Sequence, residues 1–209
     1  MTINVSIPVP PIQSVVSCRR NGPLIAEAAR LWIGPDDVVL DVTYGRGLFW
    51  TDIQPENFIA HDKYVGDGVD FRHLPEPNAS VDVVVFDPPY IAMGGRKTST
   101  VPDMLDRYGL HEVPKTPAGL MGLMAAGMIE ATRVLAPNGR LFVKCMDYVS
   151  SGRLVLGHHF VVTQAIACGL EQVDEFVHYS GTGPQPKGRR QVHSRRAHSF
   201  LCVFQKGPR

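Results

Sequence analysis

The chain has 209 residues, 44% of them hydrophobic, and a formal net charge of +1, enough for one substantial globular core and cramped for two. No run approaches the roughly 20 apolar residues of a membrane span, and residues 1–17 hold no basic residue ahead of an apolar stretch, so a secretory signal is not expected and a cytoplasmic protein is. Cys18, Cys145, Cys168 and Cys202 form no Cys-x-x-Cys pair, and His158-His159 has no further ligand at metal spacing, so neither a disulfide framework nor a metal site is expected. The charge is unevenly placed. From Phe176 to Arg209 there are seven basic residues and no acidic one, leaving 14 basic against 20 acidic residues before them, a balance of −6. Such segregation suits a polyanionic partner.

Residues 1–21 carry Pro8, Pro10 and Pro11 and predict an extended lead-in lying over the sheet or loosely held. Pro23 opens a helix with Leu24, Ile25, Ala28, Leu31 and Trp32 as its apolar stripe, ended by Gly34-Pro35. Val38 to Val42 is the first core strand, and Thr43-Tyr44-Gly45-Arg46-Gly47 follows as a tight loop in which Gly45 and Gly47 allow positive φ and close backbone approach. Asp41 ends the strand beside them. A strand over Phe58 to His61 ends in Asp62, about 20 positions beyond the loop, where doubly wound folds hold two ribose hydroxyls on a carboxylate.

Val81-Asp82-Val83-Val84-Val85-Phe86 is a β-branched apolar run, the pattern of a parallel strand covered on both faces. It stops at Asp87-Pro88-Pro89-Tyr90. The prolines donate no ladder hydrogen bonds and keep their predecessors out of helical geometry. One carboxylate, rigid carbonyls and an aromatic ring therefore stand at the carboxyl end of a strand, where open α/β sheets place ligands. Asp87 and a neighbouring carbonyl can accept both hydrogens of a planar NH2 group, and the face of Tyr90 can stack on the ring that carries it.

The polar stretch 91–115 exceeds an ordinary connection, and its Arg96 and Lys97 are candidate phosphate contacts. Thr116-Pro117 enters a helix with a Met-rich core stripe (Leu120, Leu123, Met124, Met128, Ile129 and Val134), closed by Pro137-Asn138-Gly139. Arg140 to Met146 is the next strand, with Asp147 and Tyr148 at its end as pocket or plain loop residues. His158 to Cys168 reads as a helix, and Glu171 to Tyr179 and Ser199 to Phe204 as an antiparallel pair. The loop 181–198 between them carries Lys187, Arg189, Arg190, Arg195 and Arg196, which would supply counterion-release affinity for nucleic acid.

Asp87-Pro88-Pro89-Tyr90 resembles the (Asp/Asn/Ser)-Pro-Pro-(Tyr/Phe) signature of the amino-methyltransferases, S-adenosylmethionine-dependent enzymes that methylate exocyclic amines of adenine or cytosine. The Asp41 to Gly47 segment resembles the first motif of class I methyltransferases, commonly Asp-x-Phe-x-Gly-x-Gly, with the aromatic displaced by one position to Tyr44. Asp70-Phe71-Arg72-His73-Leu74-Pro75 resembles the family's third motif, in which an acid meets the cofactor's adenine; Asp67 is an alternative acid. The resemblance spans about residues 22–206. It implies an α/β, doubly wound, mostly parallel seven-stranded sheet with an antiparallel last strand, forming a single methyltransferase domain. It also implies S-adenosylmethionine held by Asp41, Thr43, Gly45, Gly47, Asp62, Asp70, Phe71 and Asp87, with Asp87, Pro88, Pro89 and Tyr90 as the catalytic set. The expected acceptor is adenine N6 in DNA, turned out of its stack. Cytosine N4 and an RNA base amine remain open, as does an inactive nucleic-acid-binding protein, although Asp41, Gly45, Gly47, Asp62 and Asp87 are all retained. A nicotinamide dehydrogenase is disfavoured by the Asp-Pro-Pro-Tyr and the terminal antiparallel pair.

Overall fold

The computed structural model describes residues 11–92, 114–181 and 190–208. Arg96, Lys97, Lys187 and Arg189 lie outside them. In chain order the strands are β1 (Val15–Ser17), β2 (Val38–Asp41), β3 (Asn57–Ala60), β4 (Val81–Phe86), β5 (Leu135–Cys145), β6 (Tyr148–Ser150), β7 (Arg153–Val155), β8 (Leu170–Tyr179) and β9 (His198–Lys206). Strands β6 and β7 pair only with each other; the other seven form one sheet in the order β1-β8-β9-β5-β4-β2-β3. Every pairing in that sheet is parallel except those of β9, which runs antiparallel to both β5 and β8. This is the doubly wound, mostly parallel seven-stranded sheet with a reversed last strand that the resemblance implies.

Two apolar layers sandwich the sheet, as burial on both faces demands. Helix α1 (Gly22–Trp32) and a 3-10 turn, Leu48–Trp50, cover one face, with Leu24, Ile25, Phe49 and Trp50 on Val83, Val85 and Phe142. Helices α2 (Pro117–Val134) and α3 (Gly157–Ala167) cover the other, packing Leu120, Met124, Met128 and Val161 on Val84, Phe86 and Val143. Strand β4 is the shared centre: Val83, Val84, Val85 and Phe86 are all 0% exposed. Thr116 caps α2 by accepting a bond from Gly119 N (3.1 Å), as its type and position before Pro117 predict.

Several elements depart from the sequence reading. Residues 1–10 of the lead-in lie outside the described residues; of the rest, Ile12 and Val16 pack against the core, and Val15 to Ser17 add a parallel edge strand beside β8 that the sequence reading lacks. Pro137-Asn138-Gly139 does not close α2. The helix ends at Val134 and β5 starts at Leu135, so the tripeptide forms an irregularity within the strand, with Asn138 at φ 61° and a register shift opposite Val81 and Val83. Leu31 and Ile129, placed on core stripes by period, are exposed. Each helix buries a narrower arc than its apolar residues span. The β6–β7 hairpin turns on Ser151 and Gly152, both at positive φ. No helix among the described residues is long and apolar enough to cross a membrane.

Gly127 on α2 couples this packing to the end of β4. A Cβ there would lie 2.5 Å from the Phe86 ring and 2.8 Å from the Phe71 ring, and those rings already pack edge-on with centroids 5.0 Å apart. Gly127→Ala gains about 1 kcal/mol of helix propensity against about 1–3 kcal/mol of overpacking. Because neither ring is the loose end of a flexible chain, overpacking wins. Urea unfolding of this variant is expected to show a lower midpoint at unchanged slope.

Candidate active site

The parallel pairing of β2 with β4 sets Asp41 opposite Val85, so the loops leaving the two strands emerge side by side at their carboxyl ends. Thr43 joins them. Its hydroxyl accepts from Asp87 N (2.7 Å) and lies 3.4 Å from Asp41 Oδ1 as a donor. Asp41 is itself buried, with Oδ1 accepting from Thr43 N (2.8 Å) and Oδ2 from Trp50 Nε1 (2.7 Å). Burial pushes its carboxyl up to about 7, even though the Trp50 and Thr43 donors pull the other way. Asp41 thus holds the loop in shape from beneath. Trp50 carries no signal in the sequence for this role, since its partner lies across the loop rather than at a helical or strand spacing.

The glycine loop divides in two. Gly45 (φ 54°) has no atom nearer than 3.9 Å to where its Cβ would be, and it leaves an open face. Gly47 (φ 69°) is needed for a different reason than the one its spacing predicts: the Tyr44 hydroxyl lies 2.5 Å from its Cβ position, so its bareness admits the chain's own ring. Asp62 follows β3 as predicted and ties that loop down. Its Oδ2 accepts from Gly45 N (2.9 Å), while Oδ1 accepts from Tyr64 N and Val65 N (2.8 Å each). A carboxylate oxygen has two lone pairs, so Oδ2 has the capacity to accept a second bond beside the open face of Gly45.

The next segment is organised by ion pairs. Arg72 grips Asp70 through both carboxylate oxygens, with Lys63 Nζ 3.2 Å away, and the Arg72 guanidinium holds the Asp70 carboxyl well below the usual carboxylate range. Phe71 does not stand open; it packs partly buried against the core around Phe86. Asp67 bonds His61 Nδ1 (2.5 Å), and Glu76 bonds His61 Nε2 (2.8 Å).

Asp87 and Tyr90 stand at the end of β4 as predicted. Pro88 is buried, whereas Asp87, Pro89 and Tyr90 keep part of their surface. Although Asp87 is partly accessible as a residue, its Oδ1 is enclosed and has no hydrogen-bond partner among the described residues. Burial raises its pKa, and the nearby Lys144 ammonium opposes that rise.

Lys144 is the site residue that the sequence reading misses. It sits on β5, next to β4, with 2% of its surface exposed. Its Nζ donates to Asn21 Oδ1 (2.7 Å) and lies over the rings of Phe49 (5.6 Å) and Tyr90 (5.7 Å), within the range of cation–π attraction. Burial lowers its pKa and Asp87 raises it. A signal for it exists in the sequence: a lysine within an apolar strand, among residues that bury on both faces, needs partners.

Of the other residues singled out by sequence, Asp147 accepts from His158 N (3.0 Å) at the start of α3, and the Tyr148 hydroxyl accepts from Ala92 N (3.2 Å), bracing the chain just past Tyr90. Arg190 and Arg195 are exposed, while Arg196 reaches a cavity of about 180 Å³ that Tyr90 and Lys144 also line. Elsewhere the fold assembles what residue spacing hides: His158, Glu175 and Cys202 bring ligand-type atoms within 4.8 Å of one another, with His158 Nε2 2.6 Å from Glu175 Oε2.

No protein-family model and no curated protein matches the chain. Among solved structures, it is similar to a Thermus thermophilus protein designated a DNA modification methylase and complexed with S-adenosyl-L-methionine. The identity there is 17%, over 64% of this chain and 48% of that one, with a TM-score of 0.42. It is also similar to the PvuII cytosine-N4-specific DNA methyltransferase, at 14% identity over 64% of this chain and 46% of that one, with a TM-score of 0.46. A third similarity is to a SAM-dependent methyltransferase from Methanosarcina mazei, at 12% identity over 90% of this chain and 98% of that one, with a TM-score of 0.47. The chain spans about half the length of the first two.

Asp41 gives a prediction with a definite sign. A carboxyl whose folded pKa is raised stabilises most below its unfolded pKa, and that contribution declines as pH rises through the folded value. Relative to Asp41→Asn, the native chain should lose stability between about pH 4 and 7 and level off above. The Asn side chain has one acceptor oxygen for three donors, Thr43 N, the Thr43 hydroxyl and Trp50 Nε1, so this variant should also be about 1–3 kcal/mol less stable at its best pH. Denaturant titrations across that range check both outcomes.

Proposed function

We propose that the chain is an S-adenosylmethionine-dependent methyltransferase acting on an exocyclic amine of a nucleic-acid base, with adenine N6 in DNA as first choice. The observation that carries the reading is Asp87 Oδ1, an enclosed acceptor without a protein donor among the described residues, on a residue whose backbone N–H is bonded to Thr43 of the glycine loop. Leaving a buried acceptor unmade costs about 1–3 kcal/mol, and a ligand's N–H group removes that cost.

The chain's groups fit the cofactor in part. The open face at Gly45 and the spare lone pair of Asp62 offer a cradle and a hydroxyl acceptor; Gly47 is filled by Tyr44, Asp41 is committed to Thr43 and Trp50, and Phe71 lies in the core. When bound, S-adenosylmethionine supplies an electrophilic methyl group on a sulfonium. The protein's share is to prepare the amine. Asp87 and the Pro88 carbonyl accept its two N–H bonds, Tyr90 offers a ring face to the base, and the acceptors favour the nitrogen as positive charge develops on it. Burial raises the Asp87 pKa and the Lys144 ammonium opposes that rise, favouring the ionised form, which accepts better than the uncharged acid.

Labelled cofactor offered with DNA and with RNA, followed by nucleoside analysis, tests the reading and separates adenine from cytosine. Asp87→Ala is expected to lower transfer at least about 100-fold while cofactor binding persists; equal activity refutes the assignment. Removing the charge in Lys144→Met lets burial raise Asp87 further, so the acidic limb of the pH–rate profile should move to higher pH. Reversal of Arg189 and Arg190 to Glu should weaken nucleic-acid binding and flatten its salt dependence.

A further inference from the structure

The cavity beside Tyr90 has a composition that base recognition alone does not explain. Its polar lining includes Lys144, Arg196, His178, His198, Ser180 and Ser199, and no carboxylate is among its lining residues. Sheet geometry accounts for the assembly. Lys144 on β5 pairs with Leu201, His178 on β8 pairs with Ser199, and Tyr179 pairs with His198. The end of β5, the start of β9 and the end of β8 therefore meet at one corner, with Arg196 arriving from the segment just before β9.

The hydrogen bonds settle which of these groups face a ligand. His178 Nε2 lies 2.9 Å from the Cys18 carbonyl, which can only accept, so this nitrogen carries the proton. Nδ1 of the neutral ring then accepts from the Ser199 hydroxyl (3.3 Å). Burial and the Lys144 charge both hold His178 below its ordinary pKa, in keeping with that tautomer. Ser199 and His178 are thus spent on each other. Arg196 spends Nη1 on the Ser194 carbonyl and hydroxyl and Lys144 one N–H on Asn21, so the rest of the guanidinium, the remaining ammonium hydrogens, His198 and the Ser180 hydroxyl are the donors that line the cavity, and the lysine is nearly completely buried. Converging donors, two of them on cationic side chains, with Asp87 acting on Lys144 from outside the lining, make an anion subsite.

Building on the methyltransferase reading, we infer that this cavity takes a phosphodiester of the substrate strand next to the target nucleotide, while Tyr90 meets the base. The cavity touches Tyr90 and Lys144 but not Asp87. Anion and amine would therefore sit on different sides of the same aromatic–cation pair, and the base would be placed by its backbone as well as by its edge. In this arrangement Arg196 is a specificity-determining residue, distinct from the exposed Arg190 and Arg195, whose attraction for phosphate would be general.

Calorimetric titration of the full chain with dAMP, deoxyadenosine and inorganic phosphate tests this, together with a single-stranded oligonucleotide carrying one methylphosphonate beside its only adenine. The expected result is that dAMP binds about 10- to 100-fold tighter than deoxyadenosine, the range for hydrogen bonds to a charged group. Arg196→Ala should erase that advantage without changing deoxyadenosine affinity, and the methylphosphonate should weaken the oligonucleotide by a similar factor. Equal affinities for dAMP and deoxyadenosine overturn the subsite. A dAMP advantage with no methylphosphonate effect overturns the assignment to a strand in favour of a free nucleotide. If inorganic phosphate binds in an Arg196-dependent way while deoxyadenosine does not bind and no methyl transfer occurs, the subsite stands and the base-amine reading falls.

Discussion

The site depends on a single hydroxyl. Thr43 accepts from the backbone of Asp87 and faces Asp41 as a donor, so the loop after β2 and the loop after β4 are one hydrogen-bonded unit. Beneath it, Asp41 is fixed by Thr43 N and Trp50; above it, Asp62 holds Gly45 N. The chain brings together groups 17 and 44 residues apart through a few short bonds, each made possible because β2 lies between β3 and β4. A site supported this way is rigid where it borrows the sheet, with an open face at Gly45 and an enclosed acceptor at Asp87 that has no partner among the described residues.

Electrostatics gives the other half. Asp87 and Lys144 are both enclosed, and each moves the other's pKa toward its charged form against the pull of burial. A buried pair of this kind contributes little net stability, because desolvation offsets attraction. Its value lies in keeping charge where water is scarce. The rings of Phe49 and Tyr90 and the Asn21 side chain share the task of solvating the ammonium, which ties the start of α1 to the ends of β4 and β5.

Much of this is legible in the chain. The β4 run, the Asp-Pro-Pro-Tyr after it, the glycine loop and the acid after β3 are all located by local rules: apolar period, proline's restrictions and glycine's freedom. The reversed terminal pair is legible as well, because its alternation repeats on either side of a polar loop. What escapes depends on contacts distant in sequence. Trp50 reaches Asp41 across a loop, Tyr44 rather than a ligand occupies the space at Gly47, and Phe71 turns inward because Gly127 leaves room for it. Lys144 is easily passed over because a cation in an apolar strand reads as noise until its surroundings, Asn21, Phe49, Asp87 and Tyr90, are seen together. Val15 to Ser17 form a strand only because β8 offers an unpaired edge; nothing local to those three residues demands it.

That short edge strand has a consequence beyond capping the sheet. Just past it, Cys18 gives its carbonyl to His178 and its N–H to the Tyr179 carbonyl. Three-residue edges are among the first parts of a fold to open transiently. An opening of this edge would strip the imidazole of its proton's acceptor, and with it the restraint that leaves Nδ1 to accept from the Ser199 hydroxyl. The rim of the sheet is in this way hydrogen-bonded through His178 to the corner where β5, β8 and β9 meet, so residues far from the Asp-Pro-Pro-Tyr help set the polarity of that corner.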